Sequence, residues 1–183
     1  LDFLAHAYMN EVLAYAIGAA SLFGVVAPNS GNQSILVKYG TEQQKQRFVR
    51  ATLMGEILWC QGYSEPGAGS DLASLRTKGE LVGDHWVVNG QKIWTSNAEE
   101  AEWMFCLVRT EPEAPKHDGI SYLLIDMRTP GIDVRPLRQM TGEADFSEVF
   151  LENVRVPKDS IVGKRGEGWR VSRSTLKHER AFI

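Results

Sequence analysis

The sequence predicts an α+β protein. A helical N-terminal segment leads into a middle domain of antiparallel strands, a barrel or two packed sheets, and then into the start of a second helical region. Three observations carry this reading. Apolar residues keep a helical beat to about residue 56, short β-rich runs broken by turn signals follow to about residue 165, and helical spacing returns from about Gly166.

In the first segment, Phe3, Leu4, Ala7, Tyr8 and Val12, then Tyr15, Ala16 and Ala19, recur at helical spacing. A break at Pro28–Gly31 precedes a short helix through "SILVKYG". Thr41, with Gln44 three residues on, is a capping-box signature that starts the helix "EQQKQRFVRATL". No formal charge occurs from Val12 to Val37. Spanning a bilayer takes roughly 20 apolar residues, and the apolar stretch within it, "VLAYAIGAASLFGVVA", contains Ser21 and two glycines and stops at Pro28, so a helix buried on most sides is expected. The chain opens with Leu1, has no basic leader, and ends at Ile183 inside a helical pattern. It reads as a piece of a longer protein, without a secretory signal.

At Glu56 the texture changes. "EILWCQGYS" is β-rich and runs into a glycine loop, "YSEPGAGSD". "TKGELVGDHWVVNGQKIWTS" alternates around two turn signals, Gly83-Asp84 and Asn89-Gly90. Strand-like runs "WMFCLVRT", "ISYLLIDM", "IDVRPLRQM" and "FSEVFLENVRVP" complete the middle region, with "EPEAPKHDG" a polar, proline-containing loop. After Pro157 the chain turns polar, and "EGWRVSRSTLKHERAFI" resumes helical spacing.

Composition narrows the function. With 183 residues, 43% hydrophobic content and a net charge of -3, nothing points to nucleic acid or to a polybasic membrane surface. Cys60 and Cys106 each sit in apolar runs, as reduced core cysteines of an intracellular protein do, and no cysteine or histidine cluster suggests a metal site. His6, His85, His117 and His178 are scattered, without a nucleophile motif. Trp59, Trp86, Trp103 and Trp169 read as core or interface residues.

The glycine loop is neither of the two standard phosphate loops. It lacks GxxxxGK[ST], and Leu72 occupies the third glycine place of GxGxxG. Gly67 and Gly69 let backbone N–H groups approach an anion or a ring edge, and Ser64 and Ser70 add hydroxyls. A rigid turn whose Ser and Asp satisfy local backbone groups fits the same spacing. In "NGQKIWTSN", strand alternation puts Trp94 and Ser96 on one face, a flat aromatic beside a small hydroxyl that suits a planar heteroaromatic ligand. A core tryptophan with a strand-end serine is the plainer reading of that pair.

Taken together, "YGTEQQKQRF", "YSEPGAGSDLAS", "VVNGQKIWTSN", "FSEVFLENVRVPKDSIVG" and "GEGWRVSRSTLKHER" resemble the acyl-CoA dehydrogenase family of flavoproteins, in family order and spacing over nearly the whole chain. The resemblance implies the end of an N-terminal helical domain (1–56), a middle β domain (57–165) and the first helix of a C-terminal helical bundle (166–183). It implies FAD, an acyl-CoA substrate, electron-transfer flavoprotein as acceptor, a homo-oligomer or related heteromer, and a bacterial cytoplasm or mitochondrial matrix. Tyr63, Ser64, Gly69 and Ser70 would line the flavin and acyl-CoA site, with Ser70 also near the CoA thread. Trp94 would cover the flavin and Ser96 would reach its N5–O4 edge. The family often has threonine at the places of Ser64 and Ser96; serine keeps the hydroxyl.

Oxidation of an acyl thioester to its 2,3-enoyl form needs a carboxylate for the α-proton while the β-hydride goes to the flavin. Most members carry that glutamate in a later part of the C-terminal domain. A minority carry it in an "xxER" motif on that domain's first helix, which "LKHERAF" matches. This puts Glu179 forward as base and Arg180 as the residue facing CoA; a solvated Glu-Arg helix pair fits the same letters. Glu65, before proline in the loop, reads as structural. Acyl-CoA oxidases and flavin monooxygenases of the same superfamily, or a non-catalytic FAD- or CoA-binding partner subunit, share these motifs.

Overall fold

A computed structural model describes residues 3–19 and 29–179. Among the described residues three helices come first: α1 (Phe3–Leu13), α2 (Asn29–Tyr39) and α3 (Glu42–Leu53). Seven strands follow, β1 (Trp59–Gly62), β2 (Lys78–Val82), β3 (His85–Ser96), β4 (Trp103–Arg109), β5 (Ile120–Asp126), β6 (Ile132–Leu137) and β7 (Phe146–Pro157), and α4 (Gly168–Glu179) is the last described element. The mixed α+β class is as expected, and the strand-like runs of the sequence each form a strand.

The sheet is mostly antiparallel, as expected, and departs from that pattern at β4. Its order is β1-β4-β2-β3-β7-β6, with β5 on the other side of β4. β1 pairs β4 in parallel from Trp59↔Trp103 to Gly62↔Cys106, and β2 touches β4 in parallel at Lys78↔Arg109. Parallel partners need a long crossover, and here it is the glycine loop plus the β2–β3 hairpin. The near-continuous apolar character of β4 and β5 was the available signal, since strands buried on both faces lose their alternation.

Asn89-Gly90 is the second correction. The chain does not turn there: β3 runs straight through it, with a register shift opposite β7 between Val88 and Gly90. The glycine serves a close approach, because a Cβ at position 90 would come 2.7 Å from the Thr77 Cα. Gly83-Asp84, by contrast, makes the expected turn between β2 and β3, with Gly83 at a φ of +64°.

β4 and β5 divide two cores. Phe105, Leu107, Tyr122 and Leu124 face the helices with Ile35, Leu36, Phe48, Trp59 and Val171. Met104, Cys106, Val108, Leu123 and Ile125 face the inside of the curled sheet with Trp86, Val149, Val154 and Val156. Trp59 lies 4.1 Å from Phe105 between ring centroids and donates its indole N–H to Thr52 of α3 at 2.8 Å. At the head of α3 the Thr41–Gln44 capping box forms as expected, and the Gln44 amide nitrogen also donates to the carbonyls of Asp159 and Ile161, docking the helix on the turn before α4.

α1 keeps its helical beat, yet Leu4, Tyr8 and Val12 are exposed. The apolar run from Val12 to Ala27 is not one buried helix. α1 stops at Leu13, residues 14–18 form turns, and residues 20–28 lie outside the described residues. Among the described residues no helix is long and apolar enough to cross a membrane.

Candidate active site

The glycine loop leaves the end of β1 and is pinned at its base. Glu65 and Ala68 exchange backbone hydrogen bonds of 3.0 Å each, closing a tight turn over Pro66 and Gly67. The Glu65 side chain turns inward and accepts from the backbone N–H groups of Arg76 (2.7 Å) and Thr77 (2.9 Å). Its Oε1 also meets the Lys92 ammonium at 2.9 Å, and that lysine is fully buried. Burial alone would raise the Glu65 carboxyl, but Lys92 and the two backbone donors prevail and hold its pKa below the ordinary glutamate value. A carboxylate engaged on all these donors is structural, as the sequence suggested, and poor as a base.

The same lysine reaches across to the loop a second time, donating to the Tyr63 carbonyl at 3.2 Å. Between them the Ile93 N–H donates to the Ser64 carbonyl at 3.0 Å. The loop carrying Ser64, Gly69 and Ser70 and the strand carrying Trp94 and Ser96 are therefore stitched side by side.

Gly67 and Gly69 are the most informative positions. Neither has a left-handed φ, and a Cβ built on either would meet no protein atom within 4 Å. The fold itself does not require glycine at these places, unlike Gly90. A group lying on the loop from outside would require it, and that is how these residues fit a cofactor.

Trp94 is strained. Its φ of +58° is a rare state for a bulky residue, and Asn97 shares it. β3 bulges between Lys92 and Thr95 against β7, so simple alternation fails: Lys92 and Thr95 are buried while the indole is 59% exposed. The expected sharing of one strand face by Trp94 and Ser96 does not arise from alternation. Their link is Phe146, which is paired to Ser96 in the ladder and packs edge-on against the indole at 6.1 Å. Ser64 and Ser96 are half-buried, and Gly69 and Ser70 are exposed.

Tyr63 behaves differently from the rest of the loop. Its ring is buried among the helix-facing core residues, and its hydroxyl bonds the Tyr122 hydroxyl at 2.7 Å. Glu179 is the last described residue of α4 by its backbone, and its side chain and the whole of Arg180 lie outside the described residues. Lys92 was the residue that sequence reasoning missed. Its signal was a charged residue beside apolar inward positions of β3, which demands a buried counter-charge. Arg109 was missed too: its guanidinium donates to the carbonyls of Ala73, Leu75 and Lys116, tying down the chain that leaves the loop.

Residues 60–154 match the family model described as acyl-CoA dehydrogenase, middle domain. The chain belongs to the acyl-CoA dehydrogenase family. It is 57% identical over 148 residues to acyl-CoA dehydrogenase FadE34 of Mycobacterium tuberculosis, covering 81% of this chain and 21% of that protein. A putative acyl-CoA dehydrogenase from Mycobacterium abscessus superposes over the full chain with a TM-score of 0.90 at 28% identity, covering 46% of that chain. The ChsE4-ChsE5 complex from Mycobacterium tuberculosis matches with a TM-score of 0.77 at 39% identity, covering 87% of this chain and 42% of that one. The chain spans 21% to 40% of the length of the first curated relatives it matches.

Proposed function

We propose that this chain carries the flavin-facing part of an FAD-dependent acyl-CoA dehydrogenase, an oxidoreductase that converts an acyl-CoA thioester to its 2,3-enoyl form. It would comprise the end of an N-terminal helical domain (1–56), a middle β domain (57–165) and the first helix of a C-terminal bundle (166–183). One observation carries the reading: two glycines that the fold does not need face open space on a loop bonded to the strand of an exposed, strained tryptophan. FAD, when bound, would supply the two-electron acceptor for the β-hydrogen.

The residues take these roles. Ser64, Gly69, Ser70 and Ser96 offer hydroxyls and backbone to the cofactor, and Trp94 offers a flat apolar face. Tyr63 contributes backbone, its ring being engaged in the core. Ser70 and Arg180 serve the CoA portion. Glu179 takes the α-proton; a fully buried Thr175 one turn earlier marks the inward side of α4, and helical spacing puts position 179 on that side. Electron-transfer flavoprotein suits as acceptor, and a bacterial cytoplasm or mitochondrial matrix suits such chemistry.

The test is the intact protein. It should be yellow, and should bleach anaerobically with a suitable acyl-CoA; a colourless protein that takes up no flavin overturns the reading. Peroxide formation under air would move it to the oxidase branch. A neighbour described as a two-component complex favours one second reading, in which the site is completed by a related partner subunit. Glu179→Gln with unchanged turnover would support that alternative.

A further inference from the structure

Tyr63 joins two parts of the molecule that the proposed chemistry must hold in register. In the chain it precedes Ser64 of the glycine loop. In space its ring stands edge-on to Tyr122 at 6.0 Å and 83°, and its hydroxyl, 2.7 Å from the Tyr122 hydroxyl, donates onward to the Thr175 hydroxyl of α4 at 3.4 Å. Thr175 is completely buried. A second hydroxyl link grips the neighbouring residue, Tyr39 of α2 to Ser174 at 2.9 Å. The entry of α4 is fixed as well: the Gly166 N–H donates to the Ser121 hydroxyl at 2.9 Å, and a Cβ at Gly168 would lie 2.5 Å from the Ser121 carbonyl carbon.

A phenylalanine would fill the same space in this core, so packing does not call for the phenol oxygen. Burying that oxygen is unfavourable unless its bonds are made, and among the bonds it makes are one to β5 and one to α4. Such a bond acts as a spacer: it fixes how far the inward side of α4 stands from the loop. Reacting groups lose rate steeply when shifted by about 1 Å, on the order of 100-fold.

We infer that Tyr63 is a positioning residue, whose hydroxyl, bonded to Thr175, sets the separation between the glycine loop and the side of α4 on which Glu179 lies. The inference rests on Glu179 being the base, and it gives the Tyr63 ring a task separate from the part its backbone takes in lining the site.

The experiment uses the intact flavin-loaded enzyme and the variants Tyr63→Phe, Thr175→Val, Thr175→Ser and Glu179→Gln. Anaerobic flavin bleaching is followed against acyl-CoA concentration, and hydrogen exchange is followed at the α4 amides. Tyr63→Phe and Thr175→Val should each slow limiting bleaching by about 10-fold, an order-of-magnitude expectation for a modest misplacement. Half-saturating substrate and FAD content should stay put, and exchange should quicken in the last turns of α4. The double variant should be no slower than either single, and Thr175→Ser should keep the parent rate. Wild-type bleaching and unchanged exchange in Tyr63→Phe and Thr175→Val would overturn the inference, as would loss of FAD by Tyr63→Phe alone. Parent-rate bleaching by Glu179→Gln instead sinks the base assignment, and with it the target of the spacer. Should Tyr63→Phe fail to fold, Thr175→Val and Thr175→Ser decide alone.

Discussion

The Lys92 ammonium and the Glu65 carboxylate stand 2.9 Å apart, the lysine with no exposed surface and the glutamate with 8%. This buried pair spans the two segments proposed to hold the cofactor, and its second bond, from Lys92 to the Tyr63 carbonyl, spans them again. The pair therefore governs the spacing of the site more than it governs net stability.

Removing one partner should be costly. Lys92→Met takes the counter-charge from a buried carboxylate and leaves it only the Arg76 and Thr77 N–H groups, and about 3–5 kcal/mol should be lost from unfolding stability. Adding Glu65→Gln to that variant should restore part of the loss, because the buried charge goes with it. Urea unfolding of the two singles and the double checks this; additive losses would count against a coupled pair.

The same carboxylate makes stability depend on pH. Its folded pKa is depressed, so its contribution is fully present above the unfolded glutamate value of about 4.3 and is lost as pH falls through the lower folded value. Acid titration of the urea midpoint should show a steeper fall below about pH 4 in the parent than in Glu65→Gln. Parallel curves would contradict the assignment.

Gly67→Ala and Gly69→Ala separate folding from binding. Open space at both positions predicts an unfolding stability unchanged or raised, by up to about 1 kcal/mol from lower unfolded-state entropy, read as a melting temperature that holds or rises. FAD affinity of the intact protein, followed by fluorescence titration, should nevertheless fall at least about 10-fold, the equivalent of 1.4 kcal/mol. A loss of stability with binding intact would reverse the interpretation of this loop.

Trp94→Gly is expected to behave in the same sense. The exposed indole adds little to the core, and glycine relieves a left-handed backbone state costing roughly 1–2 kcal/mol. Thermal stability should hold or rise while flavin retention drops. Gly90→Ala is its mirror image: contact with Thr77 should cost about 1–3 kcal/mol, read as a lowered melting temperature.

Much of the fold was legible because its signals are local. The Thr41–Gln44 capping box needs only four residues to be recognised, and it forms as read. The parallel β1–β4 pairing joins residues some forty positions apart, through no local motif. Asn89-Gly90 misled for the same reason, since the residue that demands a glycine there is Thr77, in another segment. At the site, the loop and the tryptophan strand were visible as motifs. The bulge that re-aims Trp94, the inward turn of Tyr63 and the counter-charge of Lys92 were not, because each depends on what a distant segment brings alongside.

That β4 is sandwiched has a practical corollary for anyone cutting the gene. The stretch recognised as the middle domain, residues 60–154, omits α2, α3 and α4, and would leave Phe105, Leu107, Tyr122 and Leu124 as a bare greasy wall. Such an excised sheet should clump in the test tube, whereas a version retaining its helical cladding should stay monodisperse.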